Sequence, residues 1–211
     1  VRVVVLSGAG PVFCAGGDLD WMKTQIEADR PQRLREARKL ADMLRALNEL
    51  PKPLIGRLHG GAFGGGVGMA AVCDVAIAAQ STKFCFSETR LGIIPATIGP
   101  YVLARMGEGH ARRVFMSARI FQADEAEALG LVARVVEEPA LDAAIEAEVA
   151  PYLSCAPLAV AGAKALARAL GPRIDDAVID DSIRRLADIW EGPEAIQGIR
   201  AFLEKRPPPW Q

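Results

Sequence analysis

Three short stretches hold the residues best suited to chemistry. The first is Phe13-Cys14-Ala15-Gly16-Gly17-Asp18-Leu19. The second, His59-Gly60-Gly61-Ala62-Phe63-Gly64-Gly65-Gly66, runs into Val67-Gly68-Met69-Ala70-Ala71-Val72, which reads as a helix starting inside the glycines. The third is Phe84-Cys85-Phe86-Ser87-Glu88, followed by the apolar run Leu91-Gly92-Ile93-Ile94-Pro95. Glycine lets backbone approach a ligand closely, and the first N–H groups of a helix lack internal partners and carry partial positive charge. Each glycine stretch alone is compatible with an ordinary turn, and the second also with a phosphate cradle. That second stretch has neither the Lys-Ser/Thr of a P-loop nor dinucleotide-type glycine spacing, which argues against a nucleotide. Glu88 in isolation reads as an exposed loop charge or a functional base, and most glutamates are exposed. Two backbone loops and one acid inside an apolar body together make a site that stabilises an oxyanion and moves a proton.

The elements that must hold these stretches read as an α/β fold. Val1 to Leu6 is a buried strand, stopped by Ser7-Gly8-Ala9-Gly10-Pro11. It begins without Met and reads as the middle of a fold, so a further N-terminal segment is expected. The first loop continues through Leu19, and Pro31 then sits where a helix can start, bearing Leu34, Ala37, Leu40, Ala41, Leu44 and Leu47 at helical spacing. Strands are expected at 54–58, 75–79, 84–86 and 131–136, and helices at 98–106, 112–116 and 123–129. From Leu141 the pattern is helical to Lys205, with breaks near Pro157, Pro172 and Pro193. Residues 1–140 read as the α/β core and 141–211 as a C-terminal helical region.

Composition narrows the function. The chain has 211 residues, 51% of them apolar, and a net charge of -1. Such a chain has no global field to gather nucleic acid or an anionic membrane, and no apolar run is long enough to span a bilayer. Cys14, Cys73, Cys85 and Cys155 have no C-x-x-C pairing, which points to reduced, mostly buried thiols in a cytoplasmic setting. The two histidines have no metal-ligand spacing, so no metal is expected. Asp18 reads as a loop-stabilising residue, Asp74 as a cap or ion pair and His59 as a satisfied structural histidine. Trp21 and Met22 suit either an acyl pocket or the core.

The segments FCAGGDLDWM, GGAFGGGVGMAAVCD and FCFSETRLGIIPA resemble the signature stretches of the enoyl-CoA hydratase/isomerase (crotonase-like) family, in the family's order and separations. The similarity runs from Val1 to the AFLEKR stretch. It implies a spiral of ββα units followed by a helical oligomerisation region, and relatives with an additional N-terminal strand-and-helix stretch. It also implies a homotrimer or a hexamer, and an acyl-CoA substrate that brings coenzyme A with it, with no other cofactor. By motif position the thioester oxygen is held by the N–H groups of Gly17 and Gly65, and Glu88 is the catalytic acid/base. Ala15, Asp18, Leu19, Trp21, Gly64, Gly68 and Lys205 fall at substrate- or coenzyme-binding positions, with Arg206 beside Lys205. A solvated helix end is the alternative for that basic pair.

One departure matters. Relatives that hydrate enoyl-CoA carry two glutamates, and here the first is replaced by Gly68. DLDWM and SETRLGIIPA, with Tyr101 beyond, look most like the 3-methylglutaconyl-CoA and isohexenylglutaconyl-CoA hydratases. The resemblance therefore implies hydration of a branched 2-enoyl-CoA. Two alternatives stay open: a Δ3,Δ2-enoyl-CoA isomerase working with one glutamate, and a non-catalytic acyl-CoA-binding member of the fold.

Overall fold

β1 (Val4–Ser7) forms where β-branched residues are densest, and it is the edge of a parallel sheet. The computed structural model describes residues 1–211. After β1 the chain enters α1 (Leu19–Glu27) and α2 (Arg30–Glu49). Then come β2 (Leu54–Leu58), β3 (Gly61–Phe63), α3 (Gly65–Val72), β4 (Val75–Ala79) and β5 (Lys83–Cys85). A 3-10 turn over Glu88–Leu91 leads to α4 (Gly99–Met106) and α5 (Glu108–Phe115). β6 (Phe121–Gln122), α6 (Ala123–Ala128) and β7 (Arg134–Val136) complete the α/β part. Four helices follow: α7 (Leu141–Leu153), α8 (Pro157–Leu170), α9 (Asp176–Trp190) and α10 (Pro193–Leu203).

The strands sort into two sheets, in the orders β1-β2-β4-β7 and β3-β5-β6. All pairs in the first are parallel, as is β3 with β5. β2 and β3, then β4 and β5, give one strand to each sheet in turn. An isolated parallel bridge from Cys14 to Ala62 adds the same step after β1. This alternation is the expected ββα spiral. A core of 26 buried residues lies within it, including Phe84, Phe86 and Phe121. Phe121 stacks on Phe84 and Phe86 at centroid distances of 5.6 and 6.2 Å. Burying each such ring contributes about 1.5–3 kcal/mol.

Five expectations need correction. The first strand is not buried and does not begin at Val1: it spans Val4–Ser7 at the sheet edge, where Val5 is 42% exposed. A helix absent from the expected elements, α1, lies between Leu19 and Pro31, started by Asp18, whose carboxylate accepts from the Trp21 N–H at 2.8 Å. The glycine run contains β3, which pairs residue by residue with β5. Phe86 lies outside its strand, since β5 ends at Cys85. The last strand is short: Leu131 and Val132 are buried, but the ladder with β4 begins at Arg134. The cysteines are all free, two of them buried, with Cys14 half-buried and Cys155 exposed.

Candidate active site

Backbone pairing across the Cys14–Ala62 bridge brings the two glycine loops side by side. Cys14 donates its N–H to the Gly61 carbonyl at 3.0 Å, and Phe63 donates to the Cys14 carbonyl at 3.0 Å. The approach is close enough that a Cβ on Gly66 would stand 2.8 Å from the Cys14 Cβ, so only glycine permits it. α3 is held at both ends. Gly64 donates to the Cys85 carbonyl at 2.9 Å. At the far end Arg105 donates to the carbonyls of Ala71, Cys73 and Asp74, groups that a helix C-terminus leaves without partners.

Gly65 is the first residue of α3, so its N–H has no acceptor within the helix. A Cβ added there would meet nothing within 4 Å. Gly65 therefore faces open space with a helix N-terminus behind it. The Gly17 N–H makes no backbone hydrogen bond. A Cβ on Gly17 would lie 3.0 Å from the Met22 methyl and 3.8 Å from the Trp21 ring, both on α1. Leu19 and Trp21 are exposed although apolar, at 52% and 37%, and rim this loop. Ala15 and Asp18 are exposed on the same loop.

Glu88 follows the buried Phe84 and Phe86, which fix where it emerges. It opens the 3-10 turn, closed by Gly92 in the left-handed conformation at φ 73°. α10 lies directly on this turn. A Cβ on Gly92 would come within 2.3 Å of the Glu194 carbonyl oxygen, and one on Gly198 within 2.4 Å of the Leu91 carbonyl oxygen. The Glu88 residue is half-buried, but its Oε2 is sealed from solvent without a hydrogen-bond partner. Burial raises its pKa to about 7, opposed only by a hydrogen bond from its own backbone. Oε1 lies 3.2 Å from where a Cβ would stand on Gly64, whose φ of 52° also favours glycine. The carboxyl thus sits beside the start of α3. A desolvated acid poised near neutrality, next to an outward-facing helix N-terminus, can exchange a proton with a group whose oxygen takes up negative charge.

Gly68 is buried one turn into α3. A Cβ there would stand 2.2 Å from the Cγ2 of Ile98 and 2.7 Å from its Cβ. Ile98, 2% exposed, therefore occupies the room a side chain at 68 would need. Residues 68 and 98 meet only through the packing of α3 on α4, and no spacing rule links them. Ser87 was also missed: its Oγ lies 3.6 Å from the same Gly64 Cβ position that Glu88 approaches. Its hint was the polar residue directly before the acid.

The other residues lie outside these loops. Asp74 accepts from the Leu54 N–H at 2.7 Å and pairs with Lys164 at 2.7 Å. His59 lies 2.9 Å from the Gly10 carbonyl oxygen. Lys205 is exposed just past α10, with φ 55°. A cavity of about 860 Å³ is lined by residues including Asp74, Arg105, Lys164 and Arg168, and contains none of Gly17, Gly65 or Glu88. No single helix is long and apolar enough to cross a membrane.

Known proteins resemble this chain in sequence and in fold. The family model described as enoyl-CoA hydratase/isomerase matches residues 1–211. A protein of Thermus thermophilus named putative enoyl-CoA hydratase is 31% identical over 211 residues, covering 99% of this chain and 82% of that protein. Mouse mitochondrial methylglutaconyl-CoA hydratase is 32% identical, covering 99% of this chain and 67% of that protein. Against an enoyl-CoA hydratase of Alternaria alternata the chain spans only 55% of the relative's length. Among solved structures, a putative enoyl-CoA hydratase from Mycobacterium avium paratuberculosis superposes with a TM-score of 0.84 at 33% identity, covering all of this chain and 80% of that one. The chain belongs to the enoyl-CoA hydratase/isomerase family.

Proposed function

We propose that this chain hydrates a branched 2-enoyl-CoA of the glutaconyl type. The observation that carries the reading is the Glu88 carboxyl, with Oε2 sealed from solvent and Oε1 beside the first residues of α3. The thioester oxygen accepts hydrogen bonds from the Gly17 and Gly65 N–H groups. Glu88 takes a proton from water, and the hydroxide bonds to C3. The C2=C3 electron pair shifts to C1–C2, leaving negative charge on the thioester oxygen. C2 then takes the proton from the Glu88 carboxyl, so one water is gained and Glu88 is restored. Each backbone donor aimed at the developing charge contributes about 2.7–4 kcal/mol.

The relative named methylglutaconyl-CoA hydratase and the exposed apolar Leu19 and Trp21 beside Gly17 support a branched acyl group. Coenzyme A enters with the substrate, its phosphates meeting Lys205 and Arg206, and the reaction as written uses no metal or redox group. A homotrimer or hexamer is supported by α8, which has no buried residue and leaves Leu158 and Leu170 88% and 81% exposed.

The test is loss of enoyl-thioester absorbance with 3-methylglutaconyl-CoA and crotonyl-CoA, with products weighed by mass spectrometry. A gain of one water is expected on the glutaconyl substrate. Glu88→Gln should abolish turnover and keep acyl-CoA binding, and a near-normal rate in that variant would sink the assignment. Gly68, walled by Ile98, favours a second reading, Δ3,Δ2-isomerisation by one acid. A shifted double bond on a 3-enoyl-CoA without gain of water would establish that instead.

A further inference from the structure

Ser87 and Glu88 are consecutive, yet their side-chain oxygens front the same spot. The position a Cβ would take on Gly64 lies 3.2 Å from Glu88 Oε1 and 3.6 Å from Ser87 Oγ. That spot adjoins Gly65, the first residue of α3. The Ser87 hydroxyl is not spent on local structure. Ser87 precedes the 3-10 turn at φ -78°, but its side chain does not cap it. It is half-buried, so its hydroxyl is neither lost in the core nor free in bulk solvent.

Adding water to a double bond requires the water to be held while it loses a proton. One carboxylate oxygen can accept one proton of that water and leaves its orientation otherwise free. Position 68 supplies no second group, and Ile98 fills the room one would need. A hydroxyl donates and accepts at once, and it carries no charge to compete with Glu88 for the proton.

We propose that the Ser87 hydroxyl is the second water-positioning group of this site, orienting the nucleophile for Glu88 where Gly68 offers nothing. This rests on the hydration reading. Ser87 holds the water oxygen with its O–H, Glu88 Oε1 accepts the departing proton, and the hydroxide leaves Ser87 for C3. No proton is transferred to or from Ser87.

The test compares wild type, Ser87→Ala and Ser87→Thr as intact proteins. Hydration of 3-methylglutaconyl-CoA and crotonyl-CoA is followed alongside α-proton exchange of butyryl-CoA in D2O, which needs Glu88 but no nucleophilic water. Ser87→Ala should lower kcat for hydration about 10- to 100-fold, the effect of losing one hydrogen bond to a charged or charging group. KM and the exchange rate should stay within about twofold by the same reasoning, since uniform binding is untouched. Ser87→Thr, which keeps the hydroxyl, should recover most of the rate. Wild-type hydration in Ser87→Ala overturns the inference and leaves the hydration reading standing. Equal loss of hydration and exchange also overturns it, by making Ser87 merely structural. A wild-type chain that exchanges α-protons but adds water to no enoyl-CoA overturns the hydration reading and this inference with it.

Discussion

Replacing Gly68 with alanine should destabilise the protein, against the usual trend for a glycine inside a helix. At an ordinary helical position that exchange stabilises by roughly 0.5–1 kcal/mol. Here the new Cβ would stand 2.2 Å from Ile98 Cγ2 and 2.7 Å from its Cβ. Comfortable carbon contacts are about 3.5–4.0 Å, so one side must move by more than an ångström. Ile98 is poorly placed to yield: it is β-branched, 2% exposed and stands immediately before α4. Overpacking of this kind costs about 1–3 kcal/mol. Ile98→Ala alone should cost about 2–5 kcal/mol through the cavity it leaves. The double variant should cost less than the two together, because each change relieves the other, with a coupling of about 0.5–3 kcal/mol. Urea unfolding of the four proteins measures this, with equal m values as the check that the transition is unchanged. A Gly68→Ala protein as stable as wild type, or strictly additive effects, would refute the claim that Ile98 fills the position. Gly68→Glu alone should then fail to install a second working carboxylate, and pairing it with Ile98→Gly is the route to a two-acid site.

Three further outcomes follow from the site. Because burial pushes the Glu88 pKa up to about 7 and the proposed mechanism uses its carboxylate, kcat/KM for hydration should rise with pH through about 7 rather than near 4.5. The same shift has a stability consequence: the native state binds this proton more tightly than the unfolded chain, so stability falls as pH rises from about 4.5 through about 7. The loss is about 3 kcal/mol in all and should be absent in Glu88→Gln, which gains on wild type in urea unfolding at pH 8 compared with pH 4.5. A difference independent of pH would contradict the burial argument. At Gly65, alanine has free space and keeps the N–H, whereas proline is tolerated at a first helical position and removes it. Gly65→Ala should turn over close to wild type, and Gly65→Pro should lose about 10²–10³ in kcat. Comparable rates in the two variants would remove the Gly65 N–H from the mechanism.

The sequence was most legible where one physical signal dominated. Val1 to Leu6, Leu54 to Leu58 and Val75 to Ala79 are dense in apolar residues, and each contributes a strand to one parallel sheet, although β1 is a half-exposed edge over Val4–Ser7. The C-terminal helices were legible from their prolines, which stand in the first turns of α8 and α10. β3 was not. Gly61-Ala62-Phe63 has little strand propensity of its own, and its conformation comes from pairing with Lys83–Cys85, some twenty residues away. α1 was readable in principle, since Asp18 is a good N-cap, but its apolar residues line a ligand loop as well as the core and so keep no clean period. The chemistry divides the same way. Glu88 and the two glycine loops stand out as residue types, yet their proximity depends on the Cys14–Ala62 bridge and on α10 lying over Gly92 and Gly198. The relation that matters most, a glycine at 68 whose side-chain room is filled by Ile98, joins residues brought together by α3 and α4. Only packing relates them, and it leaves at 68 no room that a single mutation could fill.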